Sequence, residues 1–300
     1  KNPEIEGKQY QNGEQLDFQP SSVPIIFHNQ TVRSNGFVSW APKRSEFFTH
    51  ADVNPISQEW IKHLALHEYR HVVQIEKLNQ GFTRGLRTIL GEMGIGPAAA
   101  TLPFWFLEGD AVYAETSLSE SGRGRMPEFE MPIKAHLLSD EKRFSYAKSY
   151  LGSYRDYVPS YYHYGYQMVG YGRAKYGNDF WNGALNHSGR RTYLVNPFYF
   201  YLKKNTGSGK KEFYHESMDY IEKHWTKQRK NRESEIIQPV NNQNKIYTSY
   251  NQPVILNDST VIAVRSGLDI IDRFVKIYPD GKEEKLFEIG FLYFGQIDVN

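Results

Sequence analysis

Residues 67–71 read His-Glu-Tyr-Arg-His, and residues 105–115 read Trp-Phe-Leu-Glu-Gly-Asp-Ala-Val-Tyr-Ala-Glu. Around the first stretch, from Ser57 to Leu78, apolar residues recur at Ile61, Leu64, Ala65, Val72, Ile75 and Leu78. That is the period of a helix with one buried stripe, and Ser57 is placed as its N-cap. His67 and His71 then lie at i and i+4, so both imidazoles project from one face and suit a single tetrahedral zinc. Glu68, one step around the helix, is positioned to lean toward a water activated by the metal and to act as general base. By itself the five-residue pattern occurs by chance in unrelated chains, and two helical histidines are often no more than solvated side chains. Here the pair sits mid-helix, on the kind of rigid element that holds a preorganised site.

A catalytic zinc usually keeps three protein ligands and one open position. The metzincin pattern H-E-x-x-H-x-x-G-x-x-H is excluded, because Gln74 stands where it needs glycine and Lys77 where it needs its third histidine. The alternative is a glutamate from a second helix. Pro103 to Leu118 supplies one, with Pro103 at its start and Leu107, Ala111, Val112 and Ala114 toward the core. Its Glu108 follows His71 by 108 − 71 = 37 positions, enough chain for a connecting helix and the return.

HEYRH followed by W-F-L-E-G-D-A-V-Y-A-E resembles the gluzincin metallopeptidases, in the branch marked by W-[FL]-x-E-G-x-A-x-Y-x-E. The resemblance implies that His67, His71 and Glu108 hold Zn2+ and that Glu68 is the catalytic base of a zinc metallopeptidase. It also implies an α+β fold of the thermolysin/aminopeptidase kind, a small N-terminal sheet followed by a mostly helical region. One departure stands out: the thermolysin-type second helix carries an aspartate four residues after its glutamate ligand, and here that position is Val112. The carboxylate that would hold a ligating histidine from behind is therefore sought elsewhere. Glu115, two turns past Glu108 on the same face, is the nearest choice, and Asp110 is read as a surface residue. Further on, Val158 to Gly165 (VPSYYHYG) resembles the Y-x-x-G segment of the aminopeptidase branch, with Tyr162 and Gly165 in the matching places. There the tyrosine donates to the tetrahedral intermediate, where such donors act on developing charge. The chain has 22 tyrosines, and Tyr161, Tyr164 and Tyr166 compete for that role.

Upstream, Val23 to His28, Asn35 to Trp40 and Arg44 to Thr49 read as short strands. In gluzincins the edge strand of such a sheet lines the cleft and pairs with an extended substrate. The sequence leaves open whether the second or the third strand is the edge, and Asn35-Gly36 is read first as a turn before that strand, with a backbone approach to substrate as the other reading. No G-x-M-E-N-like segment precedes the first helix, and Glu46 is the acid nearest to it on an expected strand. The expectation is therefore an endopeptidase, or a peptidase with a narrow target, acting on a peptide or protein substrate.

Three hundred residues allow a large core, and the formal charge of +2 points to no partner. The basic stretches Lys203–Lys211 and Lys223–Arg232 are offset by Glu212, Glu216, Asp219, Glu222, Glu233 and Glu235, so a nucleic-acid partner is not expected. The absence of cysteine removes disulfides, thiolate ligands and cysteine nucleophiles. Met93 to Leu107 is the most apolar run, but fifteen residues with two prolines are too few to span a bilayer. It is read as a buried inter-helix segment, with a membrane-dipping or lid loop as the other reading. The chain opens at Lys1 with no apolar leader, which is read as a processed start.

The domain expectation is a peptidase domain over 1–235, a polar Asn/Gln-rich linker over 236–250, and a β segment over 251–300. In that segment strands surround turns at Asn257-Asp258 and Pro279-Asp280-Gly281. It resembles the opening blade of a TolB-type β-propeller. The pairing implies an exported bacterial protein of the periplasm or cell envelope, and a native chain that continues past this stretch; an independent β-cap is the other reading. From another functional class, the rival is an inactive peptidase-fold scaffold that binds through a propeller.

Overall fold

The computed structural model describes residues 3–50, 59–139, 142–229, 246–256 and 259–289. In chain order these form α1 (Pro3–Glu14), β1 (Ile25–His28), β2 (Ser34–Trp40), β3 (Lys43–Thr49), α2 (Trp60–Lys77), α3 (Gly81–Leu90), α4 (Gly96–Ala99) and α5 (Phe104–Ser117). There follow α6 (Pro127–Leu138), α7 (Tyr146–Leu151), α8 (Tyr161–Tyr176), α9 (Phe180–Arg190), α10 (Pro197–Thr206), α11 (Lys210–Arg229), β4 (Thr248–Ile255), β5 (Val261–Gly267), β6 (Arg273–Ile277) and β7 (Glu283–Glu288). The class is α+β. Two units are present: Lys1–Tyr150 with Pro159–Lys230, and Leu151–Val158 with Asn231–Asn300. The expected single domain over 1–235 thus gives up residues 151–158, where Tyr157 stacks on Tyr247 at 4.6 Å. Ser57, the linker residues 236–245 and the Asn257-Asp258 turn lie outside the described residues.

In the first unit the sheet order is β1-β3-β2, with β1 parallel and β2 antiparallel to the central β3. The second strand is therefore an edge. Asn35 and Gly36 are not a turn but lie within β2, opposite Phe48 and Phe47. The physical reason is close approach to α2, since a Cβ on Gly36 would lie 3.0 Å from Glu68 Cγ and 3.2 Å from Leu64 Cδ1.

Helix α2 is buried on several sides, under β2 and against α1, α5 and α9. His63, Leu64, Leu66, His67, Glu68, Arg70, Val72, Val73 and Gln74 are all buried. Ile61, expected on the buried stripe, is instead exposed, on the side of the first turn away from buried His63. α1 is tied to α2 through Asn12, whose Nδ2 donates to Leu66 O at 3.2 Å.

Helices α5 and α8 approach at two glycines. A Cβ on Gly109 would run into the Gly165 backbone, and one on Gly165 into the Trp105 carbonyl. Behind this contact Trp105, Phe106, Trp181, Phe198 and Phe213 interlock, with Phe106–Trp181 centroids at 5.0 Å and Trp105–Phe198 at 5.9 Å. Truncating any of them to alanine is expected to cost about 3–5 kcal/mol. The Met93–Leu107 run is only partly the buried segment expected of it. Ile95, Ala98 and Leu102 are buried while Met93, in the 3₁₀ turn, and Phe104, at the start of α5, face solvent. No helix among the described residues is long and apolar enough to cross a membrane.

The second unit is an antiparallel meander of order β4-β5-β6-β7. β4 opens at Thr248, inside the stretch read as linker. Gly281, at φ 81°, closes the β6–β7 hairpin, with its N–H donating to Tyr278 O at 2.9 Å. Alternation sends Ala263, Val275 and Ile277 to one cluster and Val264, Phe274 and Ile289 to another, so both faces of the sheet are apolar.

Gly165→Ala is expected to lower stability by about 1–3 kcal/mol through overpacking, at about 2–4 °C of Tm per kcal/mol for a unit of this size. Gly170→Ala on the same helix, where a Cβ meets nothing within 4 Å, is expected to hold or raise the Tm, because alanine favours helix. Thermal unfolding of both variants checks this, and equal shifts would contradict the close-packing account.

Candidate metal centre

Spacing on α2 puts His67 and His71 on one face, and the Gly109–Gly165 contact fixes where α5 lies across them. The result is a convergence of three ligand-type atoms. His67 Nε2 is 3.1 Å and His71 Nε2 3.2 Å from Glu108 Oε2, and the two Nε2 atoms are 3.3 Å apart. These three residues are the one group of histidine, aspartate or glutamate among the described residues with ligand atoms so clustered, all within 4.8 Å.

Each imidazole is held from behind through its other nitrogen. His71 Nδ1–H donates to Gln74 Oε1 at 2.9 Å, while His67 Nδ1 lies 2.9 Å from Glu115 Oε2 and 2.7 Å from Arg123 Nη2. These partners fix the ring orientations that turn both Nε2 atoms toward the cluster. Glu115 is fully buried. Arg123 clamps it with Nε to Oε1 at 2.7 Å and Nη2 to Oε2 at 2.9 Å. Burial opposes ionisation of Glu115, but Arg123, His63 and His67 hold its carboxyl well below the usual range. At the cluster, burial would raise Glu108 and the imidazoles beside it lower it. For His71 burial acts to lower the pKa, yet the Glu108 charge brings it up to about 9.

Asp110 is not the surface residue its position suggested. It is fully buried and accepts from Arg70 Nε at 2.7 Å, Arg70 Nη2 at 2.9 Å, Gln74 Nε2 at 2.9 Å and Arg173 Nη2 at 3.3 Å. The physical reason is Arg70: buried just ahead of His71, it needs a carboxylate, and α5 presents Asp110 to it. Gln74 thus links His71 to Asp110.

The cluster lies in a cleft of about 490 Å³ lined by β2 residues including Gly36 and Trp40, by Glu68, and by Leu107, Arg123 and Tyr162. Glu68 Oε2 is buried with no hydrogen-bond partner among the described residues. Tyr162, in the first turn of α8, lies with its ring 6.3 Å from His67 and beneath the Arg123 guanidinium at 5.4 Å. Burial and the Glu108 charge push its pKa up, so the phenol stays protonated as a donor. Of its neighbours, Tyr164 is buried in the core and Tyr166 packs on Tyr113. Glu46 stands apart from the cluster, paired with His28 at 2.8 Å and with Arg44.

Arg123, Gln74, Arg70 and His63 were not anticipated as parts of the site. Gln74 carried a usable signal, since i+3 from His71 puts it on the same helical face. Arg123 sits in a polar loop with no period to read. A scan of the sequence against protein-family models finds no match, and a search of curated proteins finds none either.

Asp110→Asn is expected to cost about 3–5 kcal/mol, the loss typical when one partner of a buried ion pair is removed. Urea denaturation checks this through the midpoint at unchanged m-value. A loss below about 1 kcal/mol would contradict the pairing with buried Arg70.

Proposed function

We propose that the chain is a zinc-dependent metallopeptidase of the gluzincin kind, with a thermolysin/aminopeptidase-like arrangement. The observation that carries this reading is the convergence of two Nε2 atoms and one carboxylate oxygen in a cleft beside a buried Glu68 oxygen that has no hydrogen-bond partner among the described residues. The donor set fits zinc: two imidazoles, with His71 giving up its proton on binding, and one carboxylate form a three-residue catalytic ligand set. His67, His71 and Glu108 would hold the ion, which supplies Lewis acidity and lowers the pKa of a water.

The chain's own residues do the rest. Glu68 accepts a proton from the attacking water and passes it to the leaving amine. Tyr162, kept protonated, donates to the developing oxyanion. Strand β2, paired only with β3 among the described residues, offers its free edge to an extended peptide, so main-chain hydrogen bonds give affinity and the cleft walls give selectivity. The substrate is accordingly a peptide or protein. The four-stranded meander with two apolar faces matches a propeller blade in strand number, and the same resemblance implies export to the cell envelope.

Glu68→Gln is expected to keep one bound zinc and lose about 10²–10⁴-fold in peptide hydrolysis, while His71→Ala loses both. Metal analysis alongside cleavage of a peptide library reads the two effects. Parent-rate cleavage by Glu68→Gln would refute the mechanism, and zinc retention with no cleavage by the parent would favour the scaffold reading. Gln74→Leu is expected to weaken zinc binding by about 10–100-fold, measured by chelator competition; unchanged affinity would remove Gln74 from the site.

A further inference from the structure

Helix α3 turns its apolar side outward. Phe82, Leu86, Ile89 and Leu90 recur at helical spacing, and Met93 follows in the next turn. On a helix docked to its own domain this stripe would be covered, yet Leu86 is only half-buried and Phe82 is 46%, Ile89 80%, Leu90 55% and Met93 61% exposed. The buried residue of α3 is Thr83, whose hydroxyl bonds to Thr192 in the turn after α9. α3 is thus attached by a polar residue. Tyr193 of that turn, itself exposed, packs edge-on against Phe82 at 5.6 Å and extends the apolar surface.

The charge around the stripe has one sign. From Leu78 to Gly91 the chain has no aspartate or glutamate, whereas Arg84 and Arg87 lie on α3 and Arg190 and Arg191 lead into the Tyr193 turn. Three of these guanidiniums donate to neutral groups: Arg84 to Asn79 O, Arg190 to Gln80 and Arg191 to His187. The next carboxylate along the chain, Glu92, accepts from Lys43 N at 2.8 Å. A second copy docked on the stripe would bring like charges together without carboxylates to meet them. An anionic lipid surface meets both halves of the feature, since an interfacial helix buries an apolar face at the headgroup boundary and sets cations against phosphates.

We infer that α3, with the adjoining Tyr193 turn, docks on an anionic bilayer surface. This is independent of the peptidase reading. The test is co-sedimentation of the chain with vesicles of phosphatidylcholine alone and of equal parts phosphatidylcholine and phosphatidylglycerol. Binding is expected to be about tenfold tighter on the anionic vesicles and to weaken as salt rises. Ile89→Asp/Leu90→Asp, at exposed positions and checked for an unchanged melting curve, is expected to lose that binding. Arg84→Ser, a milder exposed change, is expected to reduce it on anionic vesicles only. No sedimentation with either vesicle, or parent-like binding by the double variant, would overturn the inference. So would a dimer in vesicle-free buffer that the double variant breaks, which would assign the stripe to a second copy.

Discussion

The Arg70–Asp110 pair is the constraint on which the site depends. Both side chains are fully buried, one residue before His71 and two after Glu108, so the geometry that satisfies the ion pair also sets the register of α2 against α5. Buried ion pairs are weak sources of net stability and better understood as fixing one arrangement among several. Here the arrangement is extended in three directions: Arg70 reaches α1 through Asn12 O at 2.9 Å, Arg173 reaches from α8, and Gln74 carries the network to His71. A one-residue slip of either helix would strand a charge in the core as well as separate the imidazoles from Glu108.

Around this frame the cluster is electrostatically unfinished. Two imidazole nitrogens and a carboxylate oxygen converge, and their backing groups, Gln74 and the Arg123-clamped Glu115, hold the rings in place. Such a set favours a cation at its centre. Arg123 acts twice, holding the carboxylate behind His67 and lying over the Tyr162 ring, so one guanidinium links an imidazole to the cleft wall. Tyr162 reaches that place because Gly109 and Gly165 let α8 come close to α5.

What the sequence revealed depended on period and spacing. The dyad and the second-helix glutamate were legible because i, i+4 spacing and a helical apolar pattern fix directions without tertiary knowledge, and three strand-like runs were enough to expect the small sheet. Asn35-Gly36 misled because the pair is a turn signal by composition, whereas here glycine serves a close pass of β2 over Glu68. Asp110 misled because a carboxylate is placed outside by default, and its partner lies 40 positions earlier in the chain. Arg123 left no local trace, since only the folded loop brings it back to Glu115.

The central claim is that His67, His71 and Glu108 together hold one zinc ion. X-ray absorption at the zinc edge of the metal-loaded chain tests it most directly. The account predicts a four-coordinate shell containing two imidazoles, with nitrogen and oxygen neighbours at about 2.0–2.2 Å, and one imidazole fewer in His71→Ala. A shell of oxygen neighbours without imidazole, or one that His71→Ala leaves unchanged, would contradict it.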